Sequence, residues 1–387
     1  MNHADIVKLP LTCDSLYAYI IDESLLLYSQ KTQNVYGFEK GSAALFLQLD
    51  ELVGTHSYEE IIEQFPTVDA VSLKNMYDLA ACKEAIDVAE YESDMDLGTY
   101  IKDDMPRSFY QVDDIAFAMH YPDDDFSKHF HPVYEHLHVE KPDAKTMVSV
   151  DFVKSGDLWE IHWNNISVEM AIPKLKLATY LQEKMMTCTY QAQRYLIALH
   201  AASVEKNGKV IIMPAVAESG KTTLTATLLR HGFKLFSDES TSLDPDGYVH
   251  PLPFCMNIKE GSWNVLSETY PHLNERDIHS RFDGQSIRFL PPENMQKGRQ
   301  KASHIIFPKY TPGAKISLTP ISAREALLKI NEASYQVQNH MDANKFELIL
   351  KHLISLPKYT LVYSDLDEAV ATISGLLNNI KKDINEY

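Results

Sequence analysis

Between Lys209 and Glu239 the chain sets a lysine, several hydroxyls and two carboxylates at spacings that suit phosphate chemistry. The loop Pro214-Ala215-Val216-Ala217-Glu218-Ser219 runs into Gly220-Lys221-Thr222-Thr223. Backbone N–H groups of such a loop, with the positive end of a following helix, cradle an anion. On this reading Ala217, Glu218, Ser219, Gly220, Lys221, Thr222 and Thr223 bind ATP. Lys221 neutralises the β and γ phosphates and the Thr222 hydroxyl ligates Mg²⁺. Gly220 admits close approach because it has no Cβ. Downstream stands Asp238-Glu239, where one acid can hold Mg²⁺ while the other accepts the proton of an attacking hydroxyl. Two residues depart from the usual G-x-x-x-x-G-K-[ST] pattern. Ala215 replaces its first glycine, and the Glu218 carboxylate opposes an incoming anion. The bland alternatives are a lysine at a helix start without a ligand and a solvated acidic turn.

Local patterning supplies the elements these residues need. Lys209-Val210-Ile211-Ile212-Met213 reads as a strand, and Leu224 to Arg230 as a helix stopped by Gly232. Phe233-Lys234-Leu235-Phe236 reads as a second strand. Parallel neighbours end on one edge of a sheet, which would bring Asp238 and Glu239 to the phosphates.

Upstream, residues 1–88 read as a small α+β unit. Leu16 to Ile21, Leu25 to Tyr28 and Val35 to Phe38 are strand-like, with Asp22-Glu23-Ser24 as a turn. Helical spacing follows around Ala43 to Leu52, after the capping box Ser57-Tyr58-Glu59-Glu60, and from Val71 to Ile86. Residues 89–106 form an acidic linker and 107–190 a β-rich middle segment, with Ser155-Gly156-Asp157 marking a hairpin. A helix is expected from Lys176 to Leu199, leading into a last domain over 191–387. Residues 120–140 hold His120, His129, His131, His136 and His138 beside Asp123, Asp124, Asp125 and Glu135. His-x-His pairs on a strand would place two rings on one face, as a metal site needs, but ordinary packing histidines are the favoured reading.

Composition bounds the function. The 387 residues are 45% hydrophobic and 23% charged, as in a globular protein of two or three domains. The net charge of −18 disfavours nucleic acid and anionic membranes as partners, although a local phosphate loop is unaffected by it. No run of 18 apolar residues predicts a membrane span. Met1-Asn2-His3-Ala4-Asp5 lacks the features of a secretory signal. Cys13, Cys82, Cys188 and Cys255 are scattered without a CxxC pair, so no disulfide framework is expected and the cytoplasm fits best.

Two resemblances add to this. Tyr19-Ile20-Ile21, Leu25-Leu26-Leu27-Tyr28, Val35-Tyr36-Gly37-Phe38 and Gly41-Ser42-Ala43-Ala44-Leu45 resemble the PqqD-like peptide-recognition family. That implies a winged-helix-like domain taking a peptide as an added strand. Leu199-His200-Ala201-Ala202-Ser203-Val204, the phosphate loop, Leu235-Phe236-Ser237-Asp238-Glu239, Pro251-Leu252-Pro253 and Ile258 to Trp263 resemble the HPr-kinase-related family. Ile287-Arg288-Phe289-Leu290-Pro291-Pro292, Ile305 to Tyr310 and Leu366-Asp367-Glu368-Ala369 agree with it.

The second resemblance implies an α/β P-loop kinase domain of the HPr kinase / PEP carboxykinase-like class, preceded by the small α+β domain and the β-rich segment. It implies Asp238 as base, Thr222, Glu239 and Asp238 as the residues on Mg²⁺, Lys221 and His200 as catalytic, and His200 near the γ phosphate, orienting it or sharing the acid–base work. It implies Lys259 and Arg288 as contacts to phosphate or substrate. Its parent kinases have Asp-Asp where this chain has Asp-Glu. They form rings, so a homo-oligomer is among the implied assemblies. The expected activity is a serine kinase acting on a peptide or small protein, in a setting of ribosomal peptide biosynthesis. A small-molecule hydroxyl kinase and a nucleotide-binding regulator are the rivals, and a phosphatase activity like the parent family's stays open.

Overall fold

The computed structural model describes residues 6–83, 98–100, 102–167, 171–193, 195–336 and 341–379, arranged as a mixed α/β protein. The predicted extension of the third helix to Ile86 and most of the acidic linker lie outside the described residues.

The first unit comprises β1 (Val7–Leu9), β2 (Leu16–Ile21), β3 (Ser24–Ser29), β4 (Val35–Phe38), α1 (Lys40–Val53), α2 (Tyr58–Gln64) and α3 (Ala70–Ala80). Its antiparallel sheet has the order β1-β2-β3-β4. Asp22 and Glu23 both take positive φ, 48° and 61°. That left-handed pair matches the twist of the strands they join and sets the register Ile21↔Ser24.

Alternation along β2 and β3 loads both faces of this sheet. Leu16, Ala18, Leu25 and Leu27 pack on α1 and α3, whereas Tyr19, Ile21, Leu26 and Tyr28 enter a core built by the C-terminal part of the chain. Leu25-Leu26-Leu27-Tyr28 is an unbroken apolar run because β3 is covered on both sides. A disulfide joins Cys13 to Cys82 across a Cα separation of 6.2 Å. This corrects the expectation of no disulfide, since spacing along the chain says nothing about which cysteines the fold brings together. Cys188 and Cys255 are free and buried.

The middle segment comprises β5 (Ser108–Val112), β6 (Ile115–His120), α4 (Asp124–Tyr134), β7 (His138–Val139), β8 (Thr146–Ser155), β9 (Leu158–Trp163), β10 (Ile166–Ser167), β11 (Ile172–Pro173) and α5 (Lys174–Ala192). Its sheet runs β10-β9-β8-β6-β5-β7, with β11 also on β9. The predicted helix to Leu199 stops instead at Ala192, where Gln193 is extended. Ile197-Ala198-Leu199 open a strand, and a short apolar run carries no periodicity to tell the two states apart.

The C-terminal part comprises β12 (Ile197–Lys206), β13 (Lys209–Pro214), α6 (Lys221–Arg230), β14 (Lys234–Ser237), β15 (Ser240–Leu243), β16 (Tyr248–His250), β17 (Met256–Lys259), α7 (Trp263–Ser267), β18 (Ile278–Ser280) and β19 (Ser286–Leu290). It continues with β20 (Gln300–Tyr310), β21 (Ser317–Pro320), α8 (Ala323–Ala333), β22 (Tyr335–Gln336), α9 (Ala343–Ile349), β23 (Lys358–Tyr363) and α10 (Leu366–Asn379). The large sheet is mixed. β13, β20 and β23 lie side by side and parallel. β13 and β14 are not neighbours as expected, because β12 lies between them and is antiparallel to both. The two strands therefore still run the same way and end on the same edge.

A second, three-stranded sheet, β17-β19-β18, joins the middle segment to this core. Ile287 and Phe289 pack into the middle segment, and Met256, Ile258 and Leu290 pack beneath α6.

Candidate functional site

The strand–loop–helix predicted for residues 209–230 is present, and its loop is shaped by two left-handed residues. Glu218 has φ 66° and Gly220 φ 83°. Gly220 is the residue before α6, and a Cβ there would stand 2.5 Å from Tyr363 Oη and 3.0 Å from Tyr310 Cβ. Glycine is thus required twice over, by backbone conformation and by space. Ala215 is not among the positive-φ residues, so the alanine is accommodated without strain. The loop is pinned from outside: Tyr310 N donates to Ser219 O (3.0 Å) and Tyr363 Oη donates to Gly220 O (3.1 Å). Glu218 is exposed, so its side chain points to solvent rather than filling the loop. At the helix start, the Thr223 hydroxyl meets that of Ser262 at 2.8 Å.

Asp238 and Glu239 form the two-residue link between β14 and β15, closed by a bond from Ser240 N to Ser237 Oγ. Lys221 is 7% exposed and its Nζ donates to the backbone oxygen of Asp238 at 2.8 Å. This bond ties the helix start to the acidic turn. Asp238 is buried and its Oδ1 has no hydrogen-bond partner. Burial pushes its carboxyl above the usual range, against the pull of the Lys221 ammonium; the Glu239 charge adds to the rise, and the Thr222 and Thr225 hydroxyls oppose it.

His200 sits on β12 opposite Ser240, with its backbone N–H on Ser334 O. Its Nδ1 lies 3.5 Å from Glu239 Oε1. Burial and then the Lys221 charge lower its pKa, Glu239 opposes them, and Arg281 and Lys259 lower it further. Lys221, Asp238, Glu239 and His200 are therefore one electrostatic cluster.

The two cations taken from the resemblance part company. Lys259 ends β17 on the same face as Ile287 and His279, and its charge reaches His200. Arg288 is on the opposite face, bonded to Asn274 Oδ1 (2.9 Å) and stacked over Trp263 at 4.3 Å. Arg281, which sequence reasoning passed over, acts on His200 beside Lys259. It lies in a hairpin turn, closed by Arg281 N on Gln285 O, that brings it back over β19. Nothing in its sequence context marked it.

The cluster fits a magnesium nucleotide. Asp238 Oδ1 and Ser219 Oγ are buried polar atoms without partners, one at the acidic turn and one in the loop. Such orphans are costly unless a ligand completes them. A hard cation takes oxygen ligands of the kind Thr222, Asp238 and Glu239 carry.

The histidine-rich stretch is not one strand: His120 ends β6, His138 opens β7, and the segment between them is mostly helical. α4 begins at the Asp123 cap and carries His129 and His131, whose i,i+2 spacing separates them around the helix. His131 Nδ1 bonds Tyr110 Oη (2.7 Å), His136 Nε2 bonds Pro253 O (2.8 Å) and His129 Nδ1 bonds Asp277 Oδ2 (2.7 Å). Among the described residues no group of three or more His, Cys, Asp or Glu side chains is placed to hold a metal ion. Among them, too, no helix is long and apolar enough to cross a membrane.

Compared with known proteins, the chain matches no family model and no curated protein sequence. The candidate site stands on its own geometry.

Proposed function

We propose that this chain is a P-loop kinase of the HPr-kinase-like kind, transferring the γ-phosphoryl group of Mg-ATP to a serine hydroxyl of a peptide or small protein. The observation that carries the reading is the pairing of a buried lysine at a helix start with a buried carboxylate whose Oδ1 is unpartnered, joined through Lys221 Nζ and Asp238 O. Phosphoryl transfer asks the protein for little beyond position and charge. The loop N–H groups and Lys221 would hold the phosphates, and Thr222 and Glu239 would hold Mg²⁺, which when bound would supply positive charge to offset that of the phosphates. Asp238, with its raised pKa, is a stronger base than an exposed aspartate and takes the hydroxyl proton. His200, kept neutral, sits beside Glu239 to orient the γ phosphate without repelling Lys221.

The N-terminal sheet supports a peptide acceptor, since a strand can be added at an open edge. Arg324 Nε donates to Gly37 O on β4 (3.0 Å) and occupies that side. Among the described residues β1, where Val7 is 49% exposed, pairs with β2 alone and is the open edge. One observation favours a second reading as a nucleotide-binding regulator: Glu218 brings a negative charge to the loop itself.

The test is incubation of the purified chain with Mg-ATP and serine-containing peptides, read by a mass gain of roughly 80 Da, one phosphoryl group. The gain should vanish in Asp238→Asn. Tight nucleotide binding with no transfer to any acceptor would favour the regulator, and absence of nucleotide binding would end both readings.

A further inference from the structure

We infer that Tyr310 is the platform on which the nucleobase of the bound nucleotide stacks, an inference that rests on the phosphate-loop reading above. The argument begins with sheet topology. In an open α/β sheet, ligands lie across the carboxyl ends of the parallel strands. Here β13 ends in the phosphate loop, and β20 and β23 run parallel beside it. Asp238 and Glu239 lie on the other side of β13, beyond β12. A nucleotide with its γ phosphate toward those acids must extend its base the other way, toward the ends of β20 and β23.

Those ends are tyrosines in register, Tyr310 and Tyr363. The two play different parts. Tyr363 is 1% exposed and spends its hydroxyl on Gly220 O, so it shapes the loop. Tyr310 is 47% exposed, although its Cβ would lie 3.0 Å from a Cβ on Gly220 and its N–H is bonded to Ser219 O. Its ring stands edge-on to that of Tyr363, with centroids 5.8 Å apart, which fixes its plane from behind. A large aromatic surface left open at the rim of an anion-binding loop, held by its own backbone and by a buried neighbour, is what base stacking uses. Val216, 49% exposed in the same loop, adds a second apolar surface nearby. Because every purine offers a π-face, the platform by itself accepts adenine and guanine alike.

The experiment measures dissociation constants of Mg-ATP, Mg-GTP and Mg-tripolyphosphate, which has the phosphates but no base, for the wild type and for Tyr310→Ala, Tyr310→Leu and Tyr310→Phe. Tyr310→Ala and Tyr310→Leu should weaken both nucleotides about ten- to a hundred-fold and bring them near tripolyphosphate, whose affinity stays unchanged. Tyr310→Phe, which keeps the ring, should bind like the wild type. Unchanged tripolyphosphate binding also shows that the loop is folded in each variant. Equal weakening of all three ligands would make Tyr310 a structural support and overturn the inference, as would nucleotide affinity that ignores the substitutions. A wild type that binds tripolyphosphate no better than Lys221→Ala does would instead bring down the phosphate-loop reading itself.

Discussion

Two partly buried charge clusters in this molecule are built to opposite ends. One surrounds His250, at the seam between the middle segment and the large sheet. His250 Nδ1 lies 2.7 Å from Asp113 Oδ2 and its Nε2 3.0 Å from Asp244 Oδ2. Tyr195 Oη donates to Asp113 (3.0 Å) and Arg299 pairs with Asp244. Both ring nitrogens are bonded to carboxylates, and each carboxylate has a second partner. The other cluster surrounds Asp238, where Lys221 is spent on a backbone oxygen and the carboxylate keeps an unpartnered Oδ1. A satisfied network holds two parts of a fold together, whereas an unsatisfied one stores a cost that a ligand relieves. The contrast separates structure from function between two clusters that both hold charge at least partly away from water.

The largest expected effect comes from exchanging one carboxylate in each cluster. Asp238→Asn should lower kcat of phosphoryl transfer by about a hundred-fold or more. It should leave thermal stability equal or higher, because it removes a poorly compensated buried charge. Asp244→Asn should do the reverse, costing about 1–3 kcal/mol in denaturant unfolding while sparing kcat. Equal losses of stability in both variants would erase the distinction.

Titration gives the next effect. Burial works against a charged His250, but the hydrogen bonds to Asp113 and Asp244 outweigh it and raise its pKa. A group with a raised folded pKa contributes stability that is complete below its unfolded value, about 6.5, and is lost as pH rises through the folded one. The melting temperature of the wild type should therefore fall toward that of His250→Gln as pH climbs above 6.5. His136, His279 and His304, lowered to about 4 by burial, act in the opposite direction but are already neutral by then. A wild-type-minus-variant difference that is flat with pH would show that His250 is not charged in the seam.

The two clusters also differ in how far the sequence discloses them. Lys221, Thr222, Asp238 and Glu239 sit in short segments whose strand, turn and helix signals are local, and the structure brings them together. The His250 cluster was invisible, because Asp113, Tyr195, Asp244 and Arg299 come from separate turns that meet only through tertiary packing. The same limit explains the disulfide between Cys13 and Cys82, and the N-terminal sheet sharing its core with Phe346 and Ile349. β12 between β13 and β14 was missed for another reason. Ile197 to Leu199 is a short apolar run, which says buried without saying helix or strand, and His200 and Ser203 break any alternation beyond it. Tyr310 and Tyr363 did leave a signal, since each closes a strand that runs parallel to β13 and ends on the same edge of the sheet as the loop after it.

The smallest expected effect concerns Glu218, where the loop departs most from an ideal anion cradle. Two costs are mixed there, a carboxylate near the phosphates and a side chain at φ 66°. Glu218→Gln removes only the charge and should tighten Mg-ATP binding about two- to five-fold at low salt, the range for an exposed charge at a helix N-terminus. That gain should shrink as salt is raised through 0.15 M, where charges are screened beyond about 8 Å. Glu218→Gly should give the same gain and add about 1 kcal/mol of stability, because glycine adopts positive φ freely. If Glu218→Gln changes nothing at any salt while Glu218→Gly stabilises, the carboxylate is too far from the phosphates to matter. The argument for a regulator without turnover would then lose its one support.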